Sequence, residues 1–551
     1  MDRAGKMRGK TIKGSHSVDK GGKQFFSGVT VLLVSNLIVK LIGVLFKIPM
    51  LNAIGIEGMG YFNAAYHFYG LLIAISNAGL PVALSILVSR DREDGREAHV
   101  RKDYRCAVLL FGACGAVFSV FMYLFSGSIA DLMKIEQAES SLRAVAPAVF
   151  LVTLSGAVRG YFQGHGLMTP TAISNVIEAL GKLLLGLGFA VMAMAAGKAP
   201  PTVAAYAIFG LTLGIAASTL YLLLHKLVFD KEKNFCRSDN KPPKSTSVFS
   251  SLIKTALPIT LGAAVLSLVT LLDTLLIPSS LLRLGMSSDT ALDLYSTYTN
   301  LAVPLFSFPS SLIMPISLAI VPAVISATKT ADKKREKHVL DSALRLCAIM
   351  SLPCAFGLSV LSAPILRLLF SKESAAVTVA APLLSVLSAS ILFSGLMTVT
   401  NAILQAYGEE RRPIISLAVG AVVKIFSEML LVSNIGIIGA PISTFLCSLA
   451  VIVMNLSALS RLIDYRACIL KLFAPALFCA VLSGAVALVS YYLIVRVAPS
   501  TVSVILSVII TALFYLIFSL KSGALPKDDI LLFPLGDKLY GLFAKLKLIK
   551  Q

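Results

Sequence analysis

From residue 26 to residue 520 the chain repeats one pattern: a run of apolar residues, a short cluster of charged, Gly or Pro residues, and another apolar run. Runs bounded in this way lie at 26–53, 59–89, 106–126, 144–162, 171–196, 202–225, 251–277, 292–327, 339–366, 375–406, 413–432, 437–460, 472–495 and 501–520. A helix needs about 20 such residues to cross a hydrocarbon core of about 30 Å. The expectation is therefore an all-α integral membrane protein with about 14 transmembrane helices. Gly79-Leu80-Pro81 in the second run, Pro304, Pro309 and Pro315 in the eighth, and Gly395 in the tenth predict tilt, kinks or end turns there.

Composition agrees with this reading: 56% of the 551 residues are hydrophobic and only 14% charged. Mean hydropathy is +0.84. That leaves little room for a soluble catalytic domain. The excess of 49 Lys and Arg over 29 Asp and Glu, a net +20, would suggest a nucleic-acid partner in a soluble protein. Counted by loops, however, 35 of the basic residues fall on one side of the expected spans and 7 on the other, with the remaining 7 inside spans. The positive-inside rule then places both termini in the cytoplasm and accounts for the charge without nucleic acid. The first 25 residues are basic and polar, and the run after them is too long for a signal-peptide core, so the first span is expected to be retained as an anchor. Seven cysteines (Cys106, Cys114, Cys347, Cys354, Cys447, Cys468, Cys479) lie in or beside apolar runs and Cys236 in a basic loop, which is neither a disulfide framework nor a metal-binding spacing.

The two halves of the chain resemble each other. Pro81-Val-Ala-Leu-Ser85 recurs 241 residues later as Pro322-Ala-Val-Ile-Ser326, and Gln163, Ser174 and Lys182 recur 242 residues later as Gln405, Ser416 and Lys424. These positions are six spans apart, an even number, so the repeats share one orientation, as in parallel-repeat transporters. The expected organisation is a basic cytoplasmic tail (1–25), an N-lobe of six spans (26–228), a cytoplasmic linker (229–250), a C-lobe of six spans (251–462), two added spans (463–520) and a cytoplasmic amphipathic tail (521–551), with a central cavity between the lobes. In that tail Leu539, Leu542, Phe543, Leu546 and Ile549 share one side and lysines fill the rest, a pattern that lies on a membrane surface.

Ionisable groups inside a bilayer are costly and face a cavity or a partner. The cations within spans are Lys40, Lys47, Arg159, Lys182, Lys254, Arg345 and Lys424, and the clear anions are Glu178, Asp273 and Glu428. Arg159, Lys254 and Arg345 stand near cytoplasmic ends, where snorkelling to headgroups is the simple reading. Lys40 and Lys47, seven apart, share a helix face. Glu178 with Lys182 and Lys424 with Glu428 are spaced as i,i+4 pairs, for which an internal salt bridge and a place on the substrate path are both open readings. Even if both pairs cancel, the cations outnumber Asp273, and an interior with excess positive charge suits a phosphate or pyrophosphate. Among the histidines, His67 sits in the aromatic run from Tyr61 to Tyr69, where helix packing or a place on the pore would both fit. Neither GxxxxGK[ST] nor HExxH occurs, so transport would draw on a gradient, with a proton or sodium ion as the coupling ion, or on downstream consumption, and needs no cofactor. A membrane enzyme would need an acid or base on a substantial outer loop, and the longest such loop offers only Asp131, Glu136 and Glu139.

The stretches RGYFQGHGLMTPTAISNVIEALGK (Arg159 to Lys182), GLPVALS (Gly79 to Ser85) and VPAVIS (Val321 to Ser326) resemble the Gram-positive polysaccharide-exporter branch that includes stage V sporulation protein B and the MurJ-type lipid II flippases. That branch lies in the multidrug/oligosaccharidyl-lipid/polysaccharide exporter superfamily. The resemblance implies two six-helix lobes, two extra helices, and alternating access that turns an undecaprenyl-pyrophosphate-linked saccharide between leaflets. It also implies a cavity role for Lys40 and Lys47, which stand where MurJ-type flippases keep arginines, with Ile48 in place of an Asp. Asp273 holds roughly the position of a family Asp in the seventh helix. Lipid II is the expected substrate, set against another envelope glycan or, in a cation-coupled multidrug exporter of the same superfamily, a cationic drug that would require a net acidic cavity.

Overall fold

The computed structural model describes residues 15–232, 244–329, 333–463, 465 and 469–526. Residues 527–551 of the amphipathic tail, with all the positions of its apolar side, 233–243 of the linker and 1–14 of the basic tail lie outside these residues. Every regular element among the described residues is helical. Two compact units are formed, one from residues 1–130 and 136–264, the other from 131–135 and 265–551.

The first unit holds α1 (Ser15–Asn77), α2 (Leu80–Glu93), α3 (Glu97–Leu124), the short α4 (Ser126–Leu132, whose end passes to the other unit), α5 (Glu139–Gly164), α6 (Thr169–Gly181), α7 (Leu187–Ala195), α8 (Pro200–Glu232) and the start of α9 (Ser245–Arg283). Gly55, with φ 71° and ψ 178°, breaks α1 into two helices. Only glycine takes that conformation without strain. The break falls where the sequence separates its first two spans. A second break separates α1 from α2 just before Pro81, which occupies the first turn of α2, where its missing N–H costs nothing. α5 is the hub, packing on α2, α3 and α8. It meets α2 along Gly156, Gly160 and Gly164. A methyl group at Gly160 would lie 2.6 Å from the Pro81 carbonyl oxygen, so the backbones approach too closely for any side chain. Val248, Leu252 and Ala256 of α9 join the same core as Leu84, Phe111 and Phe162, and the division between the units falls inside α9.

The second unit continues α9 and adds α10 (Ser288–Thr297), a π-helical turn (Tyr298–Ala302), α11 (Val303–Lys329), α12 (Lys333–Val360), α13 (Ser362–Leu369), α14 (Ser374–Ser388), α15 (Ser390–Ala406), α16 (Arg411–Ile435), α17 (Gly439–Ile463), α18 (Ile469–Ile494) and α19 (Ser500–Lys521). Its packing partners repeat those of the first unit. α15 packs on α11, α12 and α17 as α5 packs on α2, α3 and α8, and α16 pairs with α17 as α6 pairs with α8. The last two helices add to α12, where the Tyr515 hydroxyl donates to the Ile349 carbonyl over 2.8 Å. At the loop end of this unit Tyr465 donates to Asp341 over 2.5 Å and Tyr407 donates to Glu336. Burial first, and then the neighbouring carboxylate, push both phenols above their usual range, so both keep their protons.

By length and hydropathy ten helical stretches among the described residues can cross a membrane, or eleven if the pair Ser374–Ser388 and Ser390–Ala406, bent by 45°, counts as one span. This is below the fourteen expected. Two of the ten, Val34–Glu93 and Arg411–Ile463, run for 60 and 53 residues, where one crossing takes about 20. The helices thus join runs that the sequence separates, because Gly55 and the Gly436–Ile438 turn bend the backbone without ending the helical stretch.

Candidate functional site

In the first unit α6 runs into a π-helical turn, Lys182–Gly186, before α7. Such turns displace side chains from the regular helical register and are common at functional sites. The turn sits against α8 at a glycine pair, where a methyl on Gly181 would lie 2.4 Å from Gly214 Cα. Lys182 leads the turn, and its ammonium lies over three rings of α1: Tyr66 at 4.4 Å, Phe46 at 4.9 Å and Phe62 at 5.8 Å from the ring centroids. The face of an aromatic ring attracts a cation, by about 0.5–1 kcal/mol when exposed and about 2 kcal/mol when dry. Lys47, half-buried beside Phe46, is within electrostatic range of Lys182, and His67 is within range of Lys47. Lys40, seven residues earlier, is exposed.

Glu178 does not bridge to Lys182. Its carboxylate takes a hydrogen bond from Arg159 Nη2 over 2.9 Å, while Arg159 Nε donates to Ser174 Oγ over 3.1 Å. Arg159 is therefore turned inward instead of snorkelling to headgroups, with only 16% of its side chain exposed. A guanidinium offers several donors in one plane and satisfies a carboxylate and a hydroxyl together, which a flexible i,i+4 ammonium does not. Among the described residues Lys182 has no ion pair, so its charge is balanced only by ring faces.

The second expected i,i+4 bridge is replaced as well. Lys424 Nζ lies 2.7 Å from Asp273 Oδ1 of α9 and donates to Thr444 Oγ1 of α17 over 3.2 Å. Glu428, one turn along α16, is fully buried, and Lys424 is 2% exposed. Lys254 is exposed and Arg345 half-buried. The two lysines of the repeat, Lys182 and Lys424, thus have opposite surroundings: one faces rings, the other carboxylates.

Sequence reasoning named the charges but missed their neighbours. Phe46, Phe62 and Tyr66 carried a signal, since Phe46 adjoins Lys47 and the other two belong to the noted aromatic run. Ser174 carried a signal only as a position of the repeat, and Ser218, Tyr298 and Thr444 carried none, being ordinary polar residues until helix packing brings Ser218 to Arg159 and Thr444, with Tyr298 beside it, to Lys424.

Residues 25–328 match the family described as polysaccharide biosynthesis protein, which is more than half of the chain. The chain belongs to that family. Residues 258–430 also match the model of the MatE family. Over 524 residues the chain is 24% identical to stage V sporulation protein B of Bacillus subtilis (strain 168), covering 94% of this chain and 98% of that one. Lipid II flippase MurJ of the same organism is 24% identical over 455 residues, covering 80% and 83%. A solved structure of lipid II flippase MurJ in an inward closed conformation has the same fold, with TM-score 0.69 and 16% identity over 89% of this chain and 98% of that one. This member of the family is therefore a multi-pass membrane transporter of the flippase superfamily and not an enzyme.

Proposed function

We propose that the protein flips an undecaprenyl-pyrophosphate-linked saccharide, lipid II foremost, from the inner to the outer leaflet by alternating access, with both termini in the cytoplasm. The observation that carries this reading is the Lys182 ammonium held over three rings with Lys47 in electrostatic range. Two like charges in a poorly hydrated site repel each other and lose solvation, a cost that an entering anion removes. Ring faces hold the ammonium in place without neutralising it, so its donors stay available. A pyrophosphate supplies the compensating charge and several acceptor oxygens. Lys47 and Lys182 would take the pyrophosphate, Lys40 would meet it from the exposed side, and Arg159 with Glu178 would keep the π-turn in position. Asp273, Lys424 and Glu428 would serve the transport cycle from the other unit. The names of the relatives support the substrate class, one being a lipid II flippase and one a sporulation protein. A cationic drug would instead meet like charge at Lys182.

Complementation of a bacterium depleted of its lipid II flippase is the test. Growth with normal cell shape is the expected outcome. Failure there, with rescue of a teichoic-acid or capsule flippase mutant, would move the assignment to another glycan.

A further inference from the structure

Where α2 turns into α3, at one end of the first unit, two carboxyl groups meet. The connection runs only from Asp94 to Arg96, with Gly95 at φ 69°. Asp91 stands on α2 just before it, and Asp103 stands on α3 beyond it, 2% exposed. Asp103 is within hydrogen-bonding reach of Asp91, yet its Oδ2 is buried and receives no donor among the described residues. Asp91 has basic neighbours: Arg96 Nη2 lies 3.4 Å from its Oδ1, and His99 Nδ1 lies 3.7 Å from its Oδ2. Arg96 also pairs with Asp94. The other charged and titratable groups brought to this end serve one another. Tyr161 of α5 donates to Asp230 of α8 over 3.2 Å, with Glu97 in range of the same hydroxyl. Lys226 of α8 pairs with Asp230 and lies over the rings of Tyr104 and Tyr161.

Two carboxyl groups in contact and largely out of water do not both ionise. One proton between them cancels the repulsion and supplies the donor that Asp103 lacks. It belongs on Asp103, because Arg96 and His99 favour the charged form of Asp91, while Asp103 adjoins the apolar core at Val100, Cys106 and Ala107. A metal ion would meet the Arg96 guanidinium already standing against Asp91. In the second half of the chain the place of Asp103, 242 residues on, is held by Arg345, so the buried acid is particular to the first half.

We infer that Asp91 and Asp103 share one exchangeable proton that latches α2 to α3, and that the latch loosens as the pH at this end rises. The proton exchanges with water at Asp91, whose side chain is 14% exposed. Its loss leaves two carboxylates, and their repulsion parts the end of α2 from α3. The closed turn binds one proton more than the open turn, so its stability falls with rising pH, by up to about tenfold per pH unit. α2 is also tied to α5, through Ser89 to the Gly164 carbonyl over 2.9 Å and Arg92 to the His165 carbonyl over 2.7 Å. Arg159 of the same α5 holds Glu178, one turn before Lys182. A loosened α2 thus withdraws support from the helix that positions the anion site, and anion binding weakens at alkaline pH. In the orientation proposed above the turn faces the cytoplasm, and the latch reads cytoplasmic pH. This regulatory role rests on the anion-site reading, whereas the latch itself does not.

The test is hydrogen–deuterium exchange of the full chain in detergent at about pH 6 and about pH 8, corrected for the intrinsic rate. Between these two values exchange of the α2–α3 turn should rise by about 10- to 100-fold in the unaltered protein. Asp103→Asn, whose amide donates to Asp91 at any pH, should stay protected at both values. Asp103→Ala, which offers no donor, should exchange fast at both, and His99→Gln should keep the dependence on pH. Equal exchange at the two values in the unaltered protein overturns the inference, as does an undiminished dependence in Asp103→Asn. So does a dependence that His99→Gln removes, which would assign the titration to the imidazole. Binding of undecaprenyl pyrophosphate should weaken at the higher pH several-fold more in the unaltered protein than in Asp103→Asn, and equal weakening overturns the regulatory role. If exchange behaves as stated in a protein that binds no undecaprenyl pyrophosphate at either pH, the latch stands and the anion-site reading falls.

Discussion

Lys182→Met tests the anion site at the residue where the geometry is most specific. The ammonium lies 4.4 to 5.8 Å above the three rings, and among the described residues no carboxylate pairs with it. A ring face holds it by about 0.5–2 kcal/mol and takes up none of its N–H donors. A charge-assisted hydrogen bond from it to a phosphate oxygen contributes about 1.5–3 kcal/mol. Losing that bond weakens binding by about 10- to 150-fold. Methionine keeps the length and apolar stem of lysine, so the π-turn and the rings retain their contacts and the loss is read against an intact fold. The assay is binding of undecaprenyl pyrophosphate to the purified full chain in detergent, with complementation alongside. Lys182→Arg should bind within about tenfold of the unaltered protein, since the charge is kept and only its shape changes. Lys47→Met should weaken binding by a similar factor, and weakening by either substitution should fade at high salt. Unchanged affinity in the Lys47→Met, Lys182→Met double variant, together with normal complementation, would refute the cationic-site mechanism.

Three further outcomes are expected. Glu178→Gln leaves Arg159 with its hydroxyl partners only and should lower stability by about 1–3 kcal/mol, with recovery in the exchanged pair Arg159→Glu, Glu178→Arg; a thermal melt in detergent reads both. Gly160→Val forces α5 away from the Pro81 carbonyl and should lower the yield of folded protein, costing about 1–3 kcal/mol, whereas Gly188→Ala, with open space around it, should be neutral. Cysteines introduced at Glu93 and Lys198 in a chain without its native cysteines should report topology: an impermeant thiol reagent applied to intact cells should label position 198 and spare position 93, and the opposite result would invert the orientation.

The sequence by itself determined the class of protein, because the apolar run, the helix period and the charge of a loop are local properties. Helical membrane spans, the break at Gly55, the kink at Gly79-Leu80-Pro81 and the set of buried charges could all be read in this way, and the matching helix partners in the two units agree with the repeat read at Lys182 and Lys424. The sequence could not choose partners for those charges. An i,i+4 spacing places Glu178 near Lys182 and Lys424 near Glu428 on any helix, yet both bridges lose to residues on other helices. Arg159 reaches Glu178 from α5 with a planar group that also binds Ser174, and Asp273 meets Lys424 from α9 at 2.7 Å, where the lysine itself is buried. Which helix faces which depends on close approaches such as Gly181 against Gly214, where the absence of two side chains sets the distance. Only that packing decides that one lysine of the repeat meets aromatic rings and the other meets carboxyl groups, and with it which of the two remains available to an anion.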